Sequence, residues 1–343
     1  MAGVTAGCSC HPPGHPGGPV KEESVSFYSD GERVAGLLRS PDDTDGLPLP
    51  VIVQGPGWLQ LKEAKRNVPY HRAFTCAGFS VLVIDFRGFG ESEGDPTQLL
   101  PERWLEDLEN AVTYLTTRDD IDSELIGTFG SGSTGGGNAV MLAARDPRVR
   151  CAVSQVPIAD GADWLRRMRP EDEWFEFLAR IDDDRRHRVL TGEGEKVHPR
   201  EEMMVKTQER IDREAGSNVE DGHVKAVALS SAEAIMAYRP IDVAEAAAAL
   251  MVIGVEDDPV TPTDHATALF EAAPRPKKLI MQHNTTHYAA YEQYADEVIP
   301  EMVDWFTRHL SAEALDVREI DSHGEIRLDL GRTNAHSINS QEK

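Results

Sequence analysis

Short runs of apolar residues alternate along the chain with polar stretches of helical spacing. Val51-Ile52-Val53 leads into Gly55-Pro56-Gly57, and Phe79 to Ile84 leads into Asp85-Phe86-Arg87-Gly88-Phe89-Gly90. Leu125 to Phe129, Cys151 to Val156, Leu250 to Ile253 and Leu279 to Met281 are runs of the same kind. Continuous apolar runs this short predict strands buried on both faces of a parallel sheet. Helices are expected between them. One spans Tyr70 to Ala77 and is stopped by Gly78. A second opens on Pro101 and places Trp104, Leu108, Val112 and Leu115 on one face. A third runs through Asn138 to Ala144. Upstream, Val25 to Tyr28 and Arg33 to Leu38 flank Asp30-Gly31, a dipeptide suited to a hairpin turn. Repeated β-α-β units predict an α/β fold with a mostly parallel central sheet flanked by helices.

The alternation stops after Pro157. Residues 160–235 are charged, helical in pattern and contain Trp164 and Trp174, and read as a helical cap inserted between two parts of the core, 21–159 and 236–310. A helical pattern from Ala290 to Leu310 contains Pro300, which predicts a kink or break before that residue. Residues 1–20, rich in glycine and proline, read as a flexible tail, and 311–343 as a polar tail with at most one short strand. Cys8, Cys10, His11 and His15 in the first tail have no second ligand cluster at zinc-site spacing, so no metal site is read there.

Charge narrows the choice of partners. The formal net charge of -24 across 343 residues repels phosphate backbones and anionic lipid, which argues against nucleic acid and membrane surfaces. The chain holds no apolar run of transmembrane length and no basic start followed by an apolar stretch, so a soluble cytoplasmic protein is expected. Its 4 cysteines are too few and too scattered for a disulfide framework. A small-molecule substrate is the expected partner, and a homodimer stays open.

Candidate chemistry centres on Phe129-Gly130-Ser131-Gly132-Ser133-Thr134-Gly135-Gly136-Gly137, between a predicted strand and a predicted helix. A nucleophile on such a tight turn needs small neighbours two residues to either side. Ser133 has Ser131 and Gly135 there, whereas Ser131 would have bulky Phe129. The segment has no lysine for a phosphate loop. It does satisfy G-x-G-x-x-G, but it falls late in the sheet and no suitable acid lies near residue 155. A serine hydroxyl needs a base, and the base needs an orienting acid, in the order serine, acid, histidine for this kind of turn. The strand Leu250 to Ile253 ends in Gly254-Val255-Glu256-Asp257-Asp258-Pro259, of which Asp257 is the preferred acid, with Asp258 and Glu256 as alternatives. The next strand is followed by His283-Asn284-Thr285-Thr286-His287-Tyr288, where His287 lies deeper in the loop than His283 and is the preferred base. His187, His198 and His223 are read as surface residues.

Taken together these segments resemble the α/β-hydrolase superfamily, and within it the dienelactone-hydrolase-like and X-Pro dipeptidyl-peptidase-like bacterial hydrolases, over about residues 25–310. The matching marks are Asp85-Phe86-Arg87-Gly88-Phe89-Gly90-Glu91-Ser92, the elbow with its three glycines, Tyr238-Arg239-Pro240, the Gly254 to Asp257 turn and His287-Tyr288. The resemblance implies a serine hydrolase that cleaves an ester or amide of a small to medium organic substrate through an acyl-enzyme on Ser133. No metal or organic cofactor is implied. Carbon–carbon bond hydrolysis of a β-diketone with the same triad is the enzymatic alternative, and a non-catalytic ligand receptor is the alternative of another class. One departure concerns the oxyanion hole: where relatives carry His-Gly and a donating amide, this chain has Gln54-Gly55-Pro56-Gly57-Trp58, and proline has no amide hydrogen. The amides of Thr134 and of Gly57 or Trp58 are the expected donors. Gln54, Trp164, Trp174, Phe175 and Tyr288 are the candidate substrate contacts; the aromatics of the cap, Phe177 included, either line a pocket or pack the cap onto the core.

Overall fold

The computed structural model describes residues 20–42, 46–205, 207–209 and 226–311, together with the backbone of 326–329. In chain order the first strands are β1 (Val20–Ser29), β2 (Glu32–Pro41), β3 (Leu49–Gly55), β4 (Ser80–Ile84), β5 (Ile121–Ser133) and β6 (Val149–Pro157). They are followed by β7 (Lys196–Val197), β8 (Val227–Ala228), β9 (Ala249–Val255), β10 (Lys277–His283) and β11 (Ile326–Asp329). The helices are α1 (Val68–Cys76), α2 (Pro101–Leu115), α3 (Thr134–Arg145), α4 (Gly161–Arg167), α5 (Glu171–Thr191), α6 (Ser231–Met236), α7 (Thr263–Ala272), α8 (His287–Glu292) and α9 (Ala295–His309).

The hairpin β1–β2 turns at Asp30-Gly31, both at positive φ (49° and 81°), as a tight turn demands. Strand β2 pairs antiparallel with β4, and every later neighbour in the large sheet is parallel. The order β1-β2-β4-β3-β5-β6-β9-β10-β11 reverses direction at β3, whose sequence successors β4 and β5 lie on opposite sides of it. Sheets of this kind open a crevice beyond the carboxyl ends of the strands where the order reverses. The sheet architecture anticipated from the apolar runs is the one observed.

Strands β4 and β9 are buried at every position, and alternate residues feed two separate cores. Val51, Val53, Leu250 and Val252 pack towards α2 and α3, whereas Ile52, Met251 and Ile253 pack towards α1 and α9. On the second face Phe129 lies 5.3 Å from Tyr70 and 5.6 Å from Phe74, directly before the elbow. The elbow thus rises from a strand that is pinned from below.

Near the end the helical pattern breaks ahead of Pro300, between α8 and α9, and Pro300 itself sits inside α9. Its missing amide costs one hydrogen bond, which the buried face of Val298, Ile299, Met302, Trp305 and Phe306 outweighs. Besides its helices, the described part of the stretch between β6 and β9 holds the short antiparallel ladder β7–β8. Strand β11, from the polar tail, extends the sheet beside β10. The expectations for residues 1–19 and for His223 lie outside the described residues. No described helix is long and apolar enough to cross a membrane.

Candidate active site

Ser133 ends β5 and stands immediately before α3, with φ 46° and ψ -101°. That conformation is unfavourable for any residue with a Cβ, and such strain persists only where the surroundings enforce it. Here the enforcement is close packing of backbone. A Cβ on Gly130 would lie 1.8 Å from the Gly135 carbonyl oxygen, and one on Gly135 would lie 2.9 Å from Gly57 Cα. The turn can therefore fold only with glycine at these places. Thr134 opens α3, so its amide is among those that a helix leaves without an intrahelical acceptor, and no side chain caps this end. Ser131 plays a structural part. Its hydroxyl donates to Gln155 Oε1 at 2.9 Å, and Gln155 donates onward to the Tyr70 hydroxyl at 3.2 Å.

The carboxylate that pairs with His287 is not the residue preferred from sequence. His287 Nδ1 lies 2.7 Å from Asp258 Oδ2, with both side chains buried, while Asp257 is exposed. The reason is local backbone geometry: Asp257 takes a left-handed φ of 55°, which turns its own side chain outward and the next one inward. Asp258 Oδ1 also accepts from Val260 N at 2.7 Å and Thr261 N at 3.0 Å, so the carboxylate is held from both sides. Glu256 is taken up by His283, whose Nδ1 is 2.6 Å away, which removes both remaining alternatives. Tyr288 and Tyr291 stand edge-on to the His287 ring at 4.9 and 5.3 Å and fix its plane. With Nδ1–H donating to Asp258, Nε2 is left as the proton acceptor. Among the described residues the Ser133 hydroxyl bonds not to His287 but to Thr261 Oγ1, 3.1 Å away.

Loop 55–62 closes the site from the β3 side. A Cβ on Gly57 would lie 2.5 Å from the Ser131 carbonyl oxygen, so this loop rests on the elbow itself. It is anchored at its far end by Lys62, whose amide and ammonium both donate to Asp85, at 2.7 and 3.1 Å. Burial works against the Lys62 charge, but Glu91 and Asp85 outweigh it and raise its pKa. At its near end Gln54 is wholly buried and hydrogen-bonded to His71 Nε2, while His71 Nδ1 accepts from Arg39 at 2.5 Å. Gln54 is therefore a brace for the loop and not the substrate contact that its place in the sequence implied.

Burial first, and the Arg39 charge second, depress the His71 pKa from 6.5 to about 3. The unfolded chain then binds a proton that the folded protein refuses at intermediate pH. Stability from neutral His71 is complete above about pH 6.5 and is lost as pH falls towards 3, with a slope approaching about 1.4 kcal/mol per pH unit. Urea unfolding of wild type and His71→Gln at about pH 6 and 5 tests this: the variant should lose less stability over that interval, and equal losses refute the shift.

The tryptophans and phenylalanine of the insertion divide. Trp164, wholly buried, donates through Nε1 to the Val260 carbonyl at 2.8 Å and stands edge-on to Trp58 at 5.3 Å, so it joins α4 to the loops that follow β9 and β3. Trp174 packs on Phe177 at 6.0 Å within the insertion, and Phe175 points to solvent, 60% exposed. Of the residues picked out from sequence, the structure brings together Ser133, Thr134, Gly57, Trp58, Trp164, His287 and Tyr288; Gln54, Trp174, Phe175 and Asp257 stand apart from them. Sequence reasoning passed over Thr261, Lys62, Asp85 and His71. Only Asp85 carried a signal, as the first residue of the D-x-R-G-x-G turn. Among the described residues no group of three or more histidine, cysteine or acidic side chains is placed to hold a metal ion.

A model of the X-Pro dipeptidyl-peptidase (S15) family matches residues 30–289, a span that contains Ser133, Asp258 and His287. The chain belongs to the S15 family. It is an α/β hydrolase by fold and a member of a family of hydrolases. The chain is 29% identical over 292 residues to an uncharacterized 31.7 kDa protein of the traX-finO intergenic region of Escherichia coli, covering 83% of this chain and 99% of that one. A thiohydrolase, aneE, of Aspergillus aculeatus is 39% identical over 124 residues, covering 36% of this chain and 38% of its own. The crystal structure of the alpha/beta hydrolase GrgF from Penicillium sp. sh18 superposes with a TM-score of 0.68 at 21% identity, covering 84% of this S15 chain and 99% of that one.

Proposed function

We propose that this protein is a serine hydrolase of acyl compounds, with Ser133 as nucleophile, His287 as base and Asp258 as the acid that orients the base. The observation that carries this reading is a strained serine at a helix start in the same crevice as a buried histidine–carboxylate pair. His287 Nε2 takes the Ser133 proton as Oγ attacks the carbonyl carbon, and the imidazolium that forms is stabilised by Asp258. Charge on the carbonyl oxygen falls to the amides of Thr134 and of Gly57 or Trp58. The leaving group takes the proton from His287, and water then releases the acid. The substrate class is an ester, amide or thioester of a small to medium organic acid; the thioester joins the class because a thiohydrolase is among the relatives. The segment from α4 to α6 acts as a cap, fastened to the site by Trp164.

Treatment with a fluorophosphonate probe followed by peptide mapping tests the assignment. Modification confined to Ser133 is the expected result, and an unmodified protein overturns it. A turnover screen of ester, amide and thioester panels then fixes the class. Gly57→Ala is expected to lower kcat by roughly 10²- to 10³-fold, the cost of losing one oxyanion donor, because its Cβ would meet the Ser131 carbonyl at 2.5 Å and push the loop away. A variant turning over at the wild-type rate would show that the loop has no part in the hole.

A further inference from the structure

We infer that Thr261 is a catalytic residue whose hydroxyl donates a hydrogen bond to Ser133 Oγ and speeds breakdown of the acyl-enzyme. The inference rests on Ser133 being the nucleophile and adds a group that the triad does not contain. Thr261 Oγ1 lies 3.1 Å from Ser133 Oγ, and both residues are buried, each only 3% exposed. Ser133 is the one hydrogen-bond partner of that hydroxyl among the described residues. Either hydroxyl can donate in this contact, and in the resting site neither has a second partner among the described residues. With Thr261 as donor, the Ser133 hydrogen is left for His287, which is what a general base requires.

Thr261 is also held in place independently of Ser133. Its amide donates to Asp258 Oδ1 at 3.0 Å, and the carbonyl of the preceding Val260 accepts from Trp164 Nε1 at 2.8 Å. The acid loop therefore supports both ends of the proton relay. Its carboxylate orients the base, and three residues later its hydroxyl meets the nucleophile.

The two half-reactions use such a donor unequally. During acylation Oγ gives its proton to His287 and its electron pair to the carbonyl carbon. A donor on Oγ eases deprotonation but weakens the attacking pair, and the two effects oppose each other. During deacylation water adds to the acyl carbon, with its proton going to His287. The tetrahedral intermediate then collapses, the C–Oγ bond breaks, Oγ keeps the electron pair and His287 returns the proton to it. The ester oxygen of the acyl-enzyme is a poor acceptor and the departing Oγ a strong one, so the Thr261 hydrogen bond strengthens towards the transition state and accelerates this step.

Thr261→Val keeps shape and the amide to Asp258 and removes only the donor. With p-nitrophenyl acetate, kcat should fall roughly 10- to 100-fold and KM with it, so that kcat/KM stays within about threefold of wild type. Intact-mass measurement should show an acetylated protein that persists, and the rate of fluorophosphonate labelling should be unchanged. Thr261→Ser should restore turnover, and Thr261→Ala should behave as the valine variant if that one folds poorly. Equal losses in kcat and kcat/KM, or no loss in either, overturn the inference while labelling at Ser133 stands. Absence of labelling at Ser133 in the wild-type protein overturns the nucleophile assignment and this inference with it.

Discussion

Ser133→Ala is expected to abolish fluorophosphonate labelling and to lower kcat on any accepted acyl substrate by roughly a millionfold, the scale on which loss of a serine nucleophile is felt. Stability should fall by no more than about 1–3 kcal/mol, the cost of leaving the buried Thr261 hydroxyl unpaired. The position is held at φ 46°, which a smaller side chain tolerates no worse than serine, and the lost hydroxyl has one neutral partner, Thr261. Comparison of labelling, turnover and urea unfolding separates chemistry from folding. A variant that unfolds early would make Ser133 a structural residue, and one that keeps more than about a thousandth of wild-type kcat would move the nucleophile elsewhere.

The second large effect distinguishes two adjacent carboxylates. Asp258→Asn should lower kcat about 10⁴-fold, because an amide facing His287 Nδ1 at 2.7 Å donates where the carboxylate accepted. The ring then carries its hydrogen on Nε2 and is no longer a base. Asp257→Asn should stay within about twofold, since surface substitutions away from special contacts rarely matter, and asparagine tolerates the left-handed φ of 55° found there. If Asp257→Asn is the damaging change, the pairing of His287 with Asp258 does not exist in solution.

The fold was legible because parallel strands buried on both faces leave unbroken apolar runs, and the elbow because only small residues fit where backbone meets backbone. The acid was not, since the outcome depends on which of two neighbouring aspartates takes a left-handed backbone, and both positions carry the same residue type, with the same tolerance for it. Gln54 misled for a different reason. A polar residue closing an apolar strand reads as site-facing, but its partner His71 lies on α1, and tertiary pairing of that kind leaves no trace in local spacing. For Phe175 the signal was present: Trp174, Phe177 and Ile181 share one side of α5 at helical intervals, and Phe175 falls off it. Thr261 was silent because a single threonine after a turn is ordinary in any loop.

The order of the strands has a consequence for how the protein acquires activity. The loop with Gly57, the elbow at Ser133, the carboxylate at Asp258 and the imidazole at His287 follow β3, β5, β9 and β10, and they meet only when those strands stand in register. Contacts between such distant parts of a chain form late and slowly. A newly made chain is thus expected to stay inert until its last parallel pairs have closed, and partly folded molecules that expose sheet edges are expected to carry no hydrolytic activity meanwhile.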